Sequence, residues 1–366
     1  MRHRFHSICP YFAMFPESFA EKWISRFTKP LQTVMDPFSG RGTAPFQAVL
    51  MERNAVGADI NPVAFVLTSA KVDSPTLGSV VKRLNLLRGR FSPEPYDEER
   101  SKLPPFFGRA FHPETLQQLL FLRDQLEWRR SRVDRFIAAL ALGSLHGEMD
   151  KSTAYFSNQM PRTISTKPSY SLRFWEARRL WPQKRNVFEI LRRRAAFRFE
   201  SPRPNLRGKA FLSDVRQLQF TAQRLLGSVD MVLTSPPYLD VTNFEEDQWL
   251  RLWLLGGPPR PTRSFHSHDD RHEYAGTYWA FICDAWRSIR PFLKERATLV
   301  CRIGGRDTST ETLSQALCTS MQFLAERATL KERSVSYFER RRQTDAFRPG
   351  SIGCRFEIDF RFALRQ

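Results

Sequence analysis

The sequence predicts an α/β fold: a mainly parallel, doubly wound sheet that closes with an antiparallel hairpin and carries a large, mostly helical insertion. Three observations predict it. Short apolar runs ending in polar or glycine turns alternate with segments of helical spacing. Strands alternating with helices argue for parallel pairing. The stretch 73–204 interrupts this alternation with helical patterns alone.

Taken in order, the first strand is Thr33–Phe38. The helix Thr43–Arg53 follows, with Phe46, Val49 and Leu50 on one face and Pro45 tolerable in the first turn. The second strand is Ala55–Ile60. Within 73–204, Thr115–Trp128 and Arg132–Leu145 have helical spacing, and Ser171–Arg194 is rich in arginine and aromatics. Strands resume at Ala210–Asp214 and Asp230–Ser235. A helix over Tyr278–Leu293 leads into Ala297–Ile303, which ends at Gly304-Gly305. Ser334–Arg340 and Cys354–Phe362 read as the closing pair. We expect residues 1–72 and 205–366 to form one domain and 73–204 a second.

The chain has 366 residues, 57 Lys and Arg against 38 Asp and Glu, and a net charge of +19. Such a surplus favours a polyanionic partner, with nucleic acid ahead of an anionic membrane. The segment 73–204 holds 25 basic and 14 acidic residues, so +11 of that surplus lies there. Its basic faces suit phosphates gripped without regard to sequence. A solvated helical lid is the competing reading. No window resembles a membrane span, and no apolar signal-peptide core follows Met1. The five cysteines form no CxxC pair. The expectation is a soluble, intracellular (cytoplasmic) protein with no metal.

Asp36-Pro37-Phe38-Ser39-Gly40-Arg41-Gly42-Thr43 follows a strand and opens a helix. Glycines permit a sharp turn and a close ligand, and amides at a helix start suit an anion. A P-loop is excluded because Gly42-Thr43-Ala44 lacks the lysine. The dinucleotide fingerprint wants glycine where Pro45 stands. S-adenosylmethionine remains: Asp36 would face its ammonium and Gly42–Thr43 its carboxylate. Asp59, at the end of the second strand and followed by Ile60-Asn61-Pro62, is placed to accept ribose hydroxyls. Asp214, at the end of the third, could bond the adenine amino group, or simply cap the next turn.

Ser235-Pro236-Pro237-Tyr238 ends the fourth strand abruptly. Two prolines remove two backbone donors and leave carbonyls without ladder partners. A base amino group is a poor nucleophile, because its lone pair is delocalised into the ring. Ser235 and the Pro236 carbonyl could bond its hydrogens and hold the nitrogen for attack. Tyr238 would stack on a flipped-out base. An ordinary proline turn is the alternative. Cytosine-C5 chemistry needs a Pro-Cys that this place lacks.

Together the two motifs resemble the amino-methyltransferases of DNA, which act on adenine N6 or cytosine N4. Asp36–Thr43 looks like their cofactor motif and Ser235–Tyr238 like their catalytic motif. Pro10 to Glu17, including Phe15 and Pro16, looks like the segment that covers the methionine end of the cofactor. The resemblance covers roughly 6–72 and 208–305. It implies a Rossmann-like class I methyltransferase with a seven-stranded sheet, S-adenosylmethionine as cofactor, and DNA as partner through phosphates and a flipped base. Serine first in the catalytic motif is commoner in cytosine-N4 enzymes. A restriction–modification setting comes only through the resemblance. The chain departs from the family in placing its insertion before the Asp214 strand. Adenine-N6 methylation, RNA or protein-amide methylation, and a non-enzymatic nucleic-acid binder are the alternatives. Phe244–Trp249 is expected to begin a helix lining the base pocket. His266–His272 has metal-ligand residue types but reads as a polar loop. His146-Gly147 and Ser157–Pro161 are turn-bounded and have no assigned role.

Overall fold

The computed structural model describes residues 2–11, 15–147, 153–157, 167–239, 244–262, 275–305, 308–338 and 354–366. The chain divides into two compact units. One holds Phe12–Val72, Pro204–Thr242 and His266–Gln366; the other holds Met1–Tyr11, Asp73–Arg203 and Asn243–Phe265.

The first unit is built on a seven-stranded sheet. Its strands are β1 (Thr33–Asp36), β2 (Asn54–Asp59), β3 (Lys209–Leu212), β4 (Val229–Thr234), β5 (Leu293–Gly305), β6 (Arg327–Tyr337) and β7 (Phe356–Arg365). Their order is β3-β2-β1-β4-β5-β7-β6. Pairing is parallel from β3 through β5. It is antiparallel between β5 and β7 and between β7 and β6. This is the Rossmann-like class I arrangement. The closing pair starts earlier than its alternation suggested, at Arg327, because β6 is bulged at Leu330/Glu332 and its burial alternates poorly. The fifth strand likewise begins at Leu293 rather than Ala297.

The helix Ala275–Ile289 buries Tyr278, Phe281, Ile282, Ala285, Trp286 and Ile289. That spacing makes one continuous apolar stripe against the sheet. Its residues share a core with Met35, Val232, Leu299, Cys301 and Phe360. Trp286 is wholly buried and its indole N–H donates to Ser320 Oγ at 3.0 Å. Each such side chain contributes roughly 1.5–3 kcal/mol by burial.

The second unit is helical. Phe5 packs edge-on against Phe199 and tilted against Phe136. Arg83 pairs with the buried Asp134, whose carboxylate also accepts from the Glu127 amide and whose own amide donates to the capping Ser131 Oγ. The arginine- and aromatic-rich stretch Ser171–Arg194 spans two helices, Pro168–Ala177 and Val187–Arg198, with Pro182 and the left-handed Arg179 between them. Helices Phe244–Asp247 and Trp249–Leu254 place Trp249 and Trp253 against Phe106 and Phe107. Glu245 is buried there and accepts from the Thr262 hydroxyl at 2.6 Å. No helix among the described residues is long and apolar enough to cross a membrane.

Trp286→Ala should destabilise the sheet unit by about 3–5 kcal/mol, because it opens a cavity and removes the donor to Ser320 Oγ. Urea unfolding would check this: an unchanged midpoint would show that the helix is not the cover this packing implies.

Candidate active site

In a parallel sheet the carboxyl ends of all strands share one edge, and ligands bind where the strand order reverses. Here the reversal lies between β1 and β4. Asp36 ends β1 and Thr234 ends β4, and their side chains meet: Thr234 Oγ1 donates to Asp36 Oδ1 at 2.7 Å. The Phe38 amide donates to the same oxygen at 3.1 Å. Asp36 is 2% exposed, and its Oδ2 has no hydrogen bond from a described residue.

Asp59, at the end of β2, accepts from the amides of Gly40 (2.8 Å) and Asn61 (2.9 Å). It therefore ties the glycine loop to the second strand. Asn61 caps the helix Pro62–Val72 through Val63, and Pro62 opens that helix. The structure thus leaves Asp59 with lone pairs beyond the two it uses inside the protein.

Burial pushes both carboxyls up. Asp36 is raised to about 7, chiefly by desolvation, against the pull of its bonds to Thr234 and Phe38, and is raised further by Asp59. Asp59 is raised to about 6, again chiefly by desolvation, with its amide bonds opposing. No Lys or Arg among the described residues is paired with either. Two crowded carboxylates without a cation, Asp36 buried and Asp59 half-buried, suit a ligand that brings positive charge and hydroxyl donors. An ammonium, a sulfonium and a ribose diol meet that requirement, so these residues fit S-adenosylmethionine.

The glycine loop is more self-contained than its sequence suggested. Gly40 and Gly42 both have left-handed backbones, at φ +50° and +75°. A Cβ on Gly42 would sit 2.8 Å from the Thr68 Cα, so the helix Pro62–Val72 fills that space. The Gly42 amide donates to the Ser39 carbonyl at 2.6 Å. The Thr43 hydroxyl accepts from Arg41 Nε at 3.2 Å. Arg41 is buried and pairs with Glu17 Oε1 at 2.8 Å. Pro37 is buried, and Phe38 meets Phe281 edge-on at 5.9 Å. Ile60 is half-buried between Asp59 and Asn61.

Phe15 is buried against Phe19, with ring centroids 5.0 Å apart, and Pro16 precedes the helix Glu17–Phe27 as its cap. Residues 12–14 of that segment lie outside the described residues. Asp214 caps the turn Val215–Gln217 and forms a forked ion pair with Arg216. The capping reading of Asp214 is the one seen; adenine recognition would have to share it with Arg216.

The Ser235–Tyr238 segment leaves β4 immediately beyond Thr234. Pro236 is buried and Pro237 exposed. No described residue donates to the Pro236 carbonyl. Ser235 Oγ donates to the Tyr238 hydroxyl at 3.3 Å. The Tyr238 ring lies over Gly304 of β5, where a Cβ would come within 2.6 Å of it. Burial, with Glu357 adding to it, holds the phenol's pKa well above its ordinary range, so Tyr238 stays neutral. Thr234 and Gly304 were not among the candidates the sequence offered. The signal for each was present: a hydroxyl directly before the motif, and a glycine pair at a strand end. His266–His272 lies outside the described residues, as does most of Ser157–Pro161. Among the described residues no three His, Cys, Asp or Glu gather as a metal site.

Residues 3–69 match the family model N6_N4_Mtase, described as DNA methylase. No curated protein matches. Three solved structures illustrate the wider likeness. The rRNA methyltransferase aviRa from Streptomyces viridochromogenes is 15% identical, with 96% of this chain and 87% of that one covered and a TM-score of 0.34. TrmN from Thermus thermophilus is 12% identical, with 100% and 53% covered and a TM-score of 0.34. The 16S rRNA (adenine(1408)-N(1))-methyltransferase from Catenulisporales acidiphilia is 11% identical, with 97% and 93% covered and a TM-score of 0.33. The strand order and the family match define an S-adenosylmethionine-dependent methyltransferase. The resemblance to the amino-methyltransferases is borne out over residues 3–69.

The raised carboxyls make a pH prediction. Asp36 binds its proton more tightly in the folded chain than in the unfolded one. Its ionisation therefore erodes the stability of the ligand-free protein as pH rises from about 4 through about 7. A cationic ligand has the opposite preference, so S-adenosylmethionine affinity should fall about tenfold between pH 8 and pH 6, with proton uptake by the free protein. Thr234→Val removes a bond that lowers the Asp36 pKa and should move this limb to higher pH. Calorimetry in buffers of different ionisation enthalpy would test both; a flat profile would contradict the assignment.

Proposed function

We propose that the chain methylates an exocyclic amino group of a DNA base, with cytosine N4 as the favoured target. The observation that carries this reading is the hydrogen bond from Thr234 to Asp36. It joins the strand end of the glycine-loop motif to the strand end from which Ser235-Pro236-Pro237-Tyr238 departs. A methyl donor held at the first would therefore lie beside an amino group held at the second.

S-adenosylmethionine, when bound, supplies an electrophilic methyl group. Asp36 would take its ammonium, Asp59 its ribose hydroxyls, and Phe15, Pro16, Pro37, Phe38, Ile60 and the Gly40–Thr43 loop would form the walls. The Pro236 carbonyl and Ser235 Oγ accept the hydrogens of the base amino group. That draws the nitrogen lone pair out of conjugation and orients it. Pro236 and Pro237 keep these acceptors free of competing backbone donors. Tyr238 offers a flat neutral ring for an extruded base, and its hydroxyl positions Ser235. Its suppressed ionisation leaves it no role as a base. The helical unit, with its basic surplus, would carry phosphate contacts.

Ser235 and the DNA methylase match over 3–69 support cytosine N4 on DNA. Adenine N6 is the nearest alternative, and RNA or a protein amide the next. Labelled methyl transfer from S-adenosylmethionine to DNA, RNA and protein in competition would decide among them. Asp36→Ala should abolish cofactor binding. Tyr238→Ala should spare cofactor binding and lower transfer at least about a hundredfold. Full transfer in both variants would sink the site assignment, and preference for RNA would sink the DNA reading.

A further inference from the structure

The helix Pro168–Ala177 presents two unlike faces. Ser171 and Trp175 are buried, and the Trp175 ring lies 5.3 Å from Phe106. Tyr170, Phe174 and Arg178 follow one another at intervals of four, so they form a row on another face. The Tyr170 and Phe174 rings stack at 6.1 Å and 30°. The Arg178 guanidinium lies 3.9 Å from the Phe174 centroid. A second pair stands close by in sequence, with Arg109 3.8 Å over the ring of Trp181. Tyr170 is 51% exposed and Trp181 69%.

The charge around these rings is one-sided. Residues 167–185 carry six Lys and Arg and a single acidic residue, Glu176. Lys184 is paired with Glu114. Arg173, Arg178 and Arg179 have no ion pair with a described residue. Arg179 is unusual in its backbone as well. It sits at φ +52° just past the helix end. The Leu180 amide returns to the Trp175 carbonyl and the Arg179 amide to the Glu176 carbonyl. That pair of bonds is a Schellman cap, whose left-handed position favours glycine. A guanidinium is kept there against the backbone preference of an L side chain.

Exposed aromatic rings beside Arg173, Arg178 and Arg179 fit one class of partner best. A protein interface depletes charge at its centre. Duplex DNA would engage the arginines through phosphates but hides its base faces, leaving Tyr170 and Trp181 in water. Unpaired bases offer flat faces to the rings while the backbone tracks the cations. We propose that this surface binds single-stranded nucleic acid, with Tyr170 and Trp181 as stacking platforms and Arg173, Arg178 and Arg179 as phosphate contacts. The inference rests on the reading that the substrate is a nucleic acid, and it narrows that substrate to one that carries unpaired bases.

The test is fluorescence anisotropy of the full chain with a labelled oligonucleotide of about 15 nucleotides, single-stranded and as a duplex of the same sequence, across a salt series. The single strand should bind more tightly. Trp181→Ala and Tyr170→Ala should each weaken it by about 5- to 100-fold and leave duplex binding unchanged. Arg178→Ala and Arg179→Gly should each lower the salt slope by about one. Arg179→Gly relieves the left-handed backbone, so its loss of binding cannot come from unfolding. Equal affinity for both forms, indifferent to Tyr170 and Trp181, would overturn the proposal. So would variants that abolish self-association in sedimentation without touching oligonucleotide affinity. Methyl transfer measured in parallel separates the two readings. Transfer with ring-indifferent binding defeats only the surface; ring-sensitive binding with no transfer to any nucleic acid defeats only the methylation.

Discussion

The hydrogen bond from Thr234 to Asp36 crosses the sheet at the point where the strand order turns back on itself. Everything at the carboxyl edge is arranged around the charge it steadies. A buried carboxylate is tolerable when hydrogen-bonded and costly when crowded by another. Asp36 has two protein donors and Asp59 as a neighbour, and Asp59 has spent one bond on Gly40 of the glycine loop and one on Asn61. The edge is therefore poised between a neutral state at low pH and an anionic state that wants a cation. The same bond sets the spacing between the end of β1 and the end of β4, and so between the two motifs.

The two units divide the physical work. In the sheet unit, glycine at 304 admits the Tyr238 ring against β5, and β7 backs β5 along its length. Such a site stands on strand ends whose positions the ladder fixes. The helical unit has its own aromatic core, with Phe106, Phe107, Trp249 and Trp253 in mutual contact. It leaves other aromatics outside that core, stacked with arginine. Rings inside stabilise; rings outside, sharing their faces with cations, are available to a partner.

All seven strands were legible because period-two or continuous apolar runs end at glycine, proline or aspartate, which are local signals. Boundaries slipped where the signal was not local. Leu293–Arg296 joins β5 because Val229 of β4 pairs with Leu293 and Arg365 of β7 with Arg296, and Arg327–Arg333 joins β6 through pairing across a bulge. The left-handed turn at Arg179 has no sequence signature. At the site, Asp36, Asp59 and Ser235–Tyr238 were read from spacing. Thr234 was not, since its role depends on β1 and β4 being neighbours in space and not in sequence. Asp214 could be read two ways, and only its forked bond to Arg216 distinguishes the cap.

Gly42 invites a different conclusion from the one its motif suggests. Its missing side chain makes room for Thr68, and its amide closes a turn onto Ser39. The glycine is thus demanded by the protein's own packing, whatever the ligand does. A descendant of this chain that had abandoned catalysis would still need it in order to fold. The glycine signature is in this sense a record of architecture, and a scan that relies on it would retain inactive relatives. The segment after Thr234 differs: Ser235 donates a hydrogen bond to Tyr238, and nothing in the packing requires a serine there.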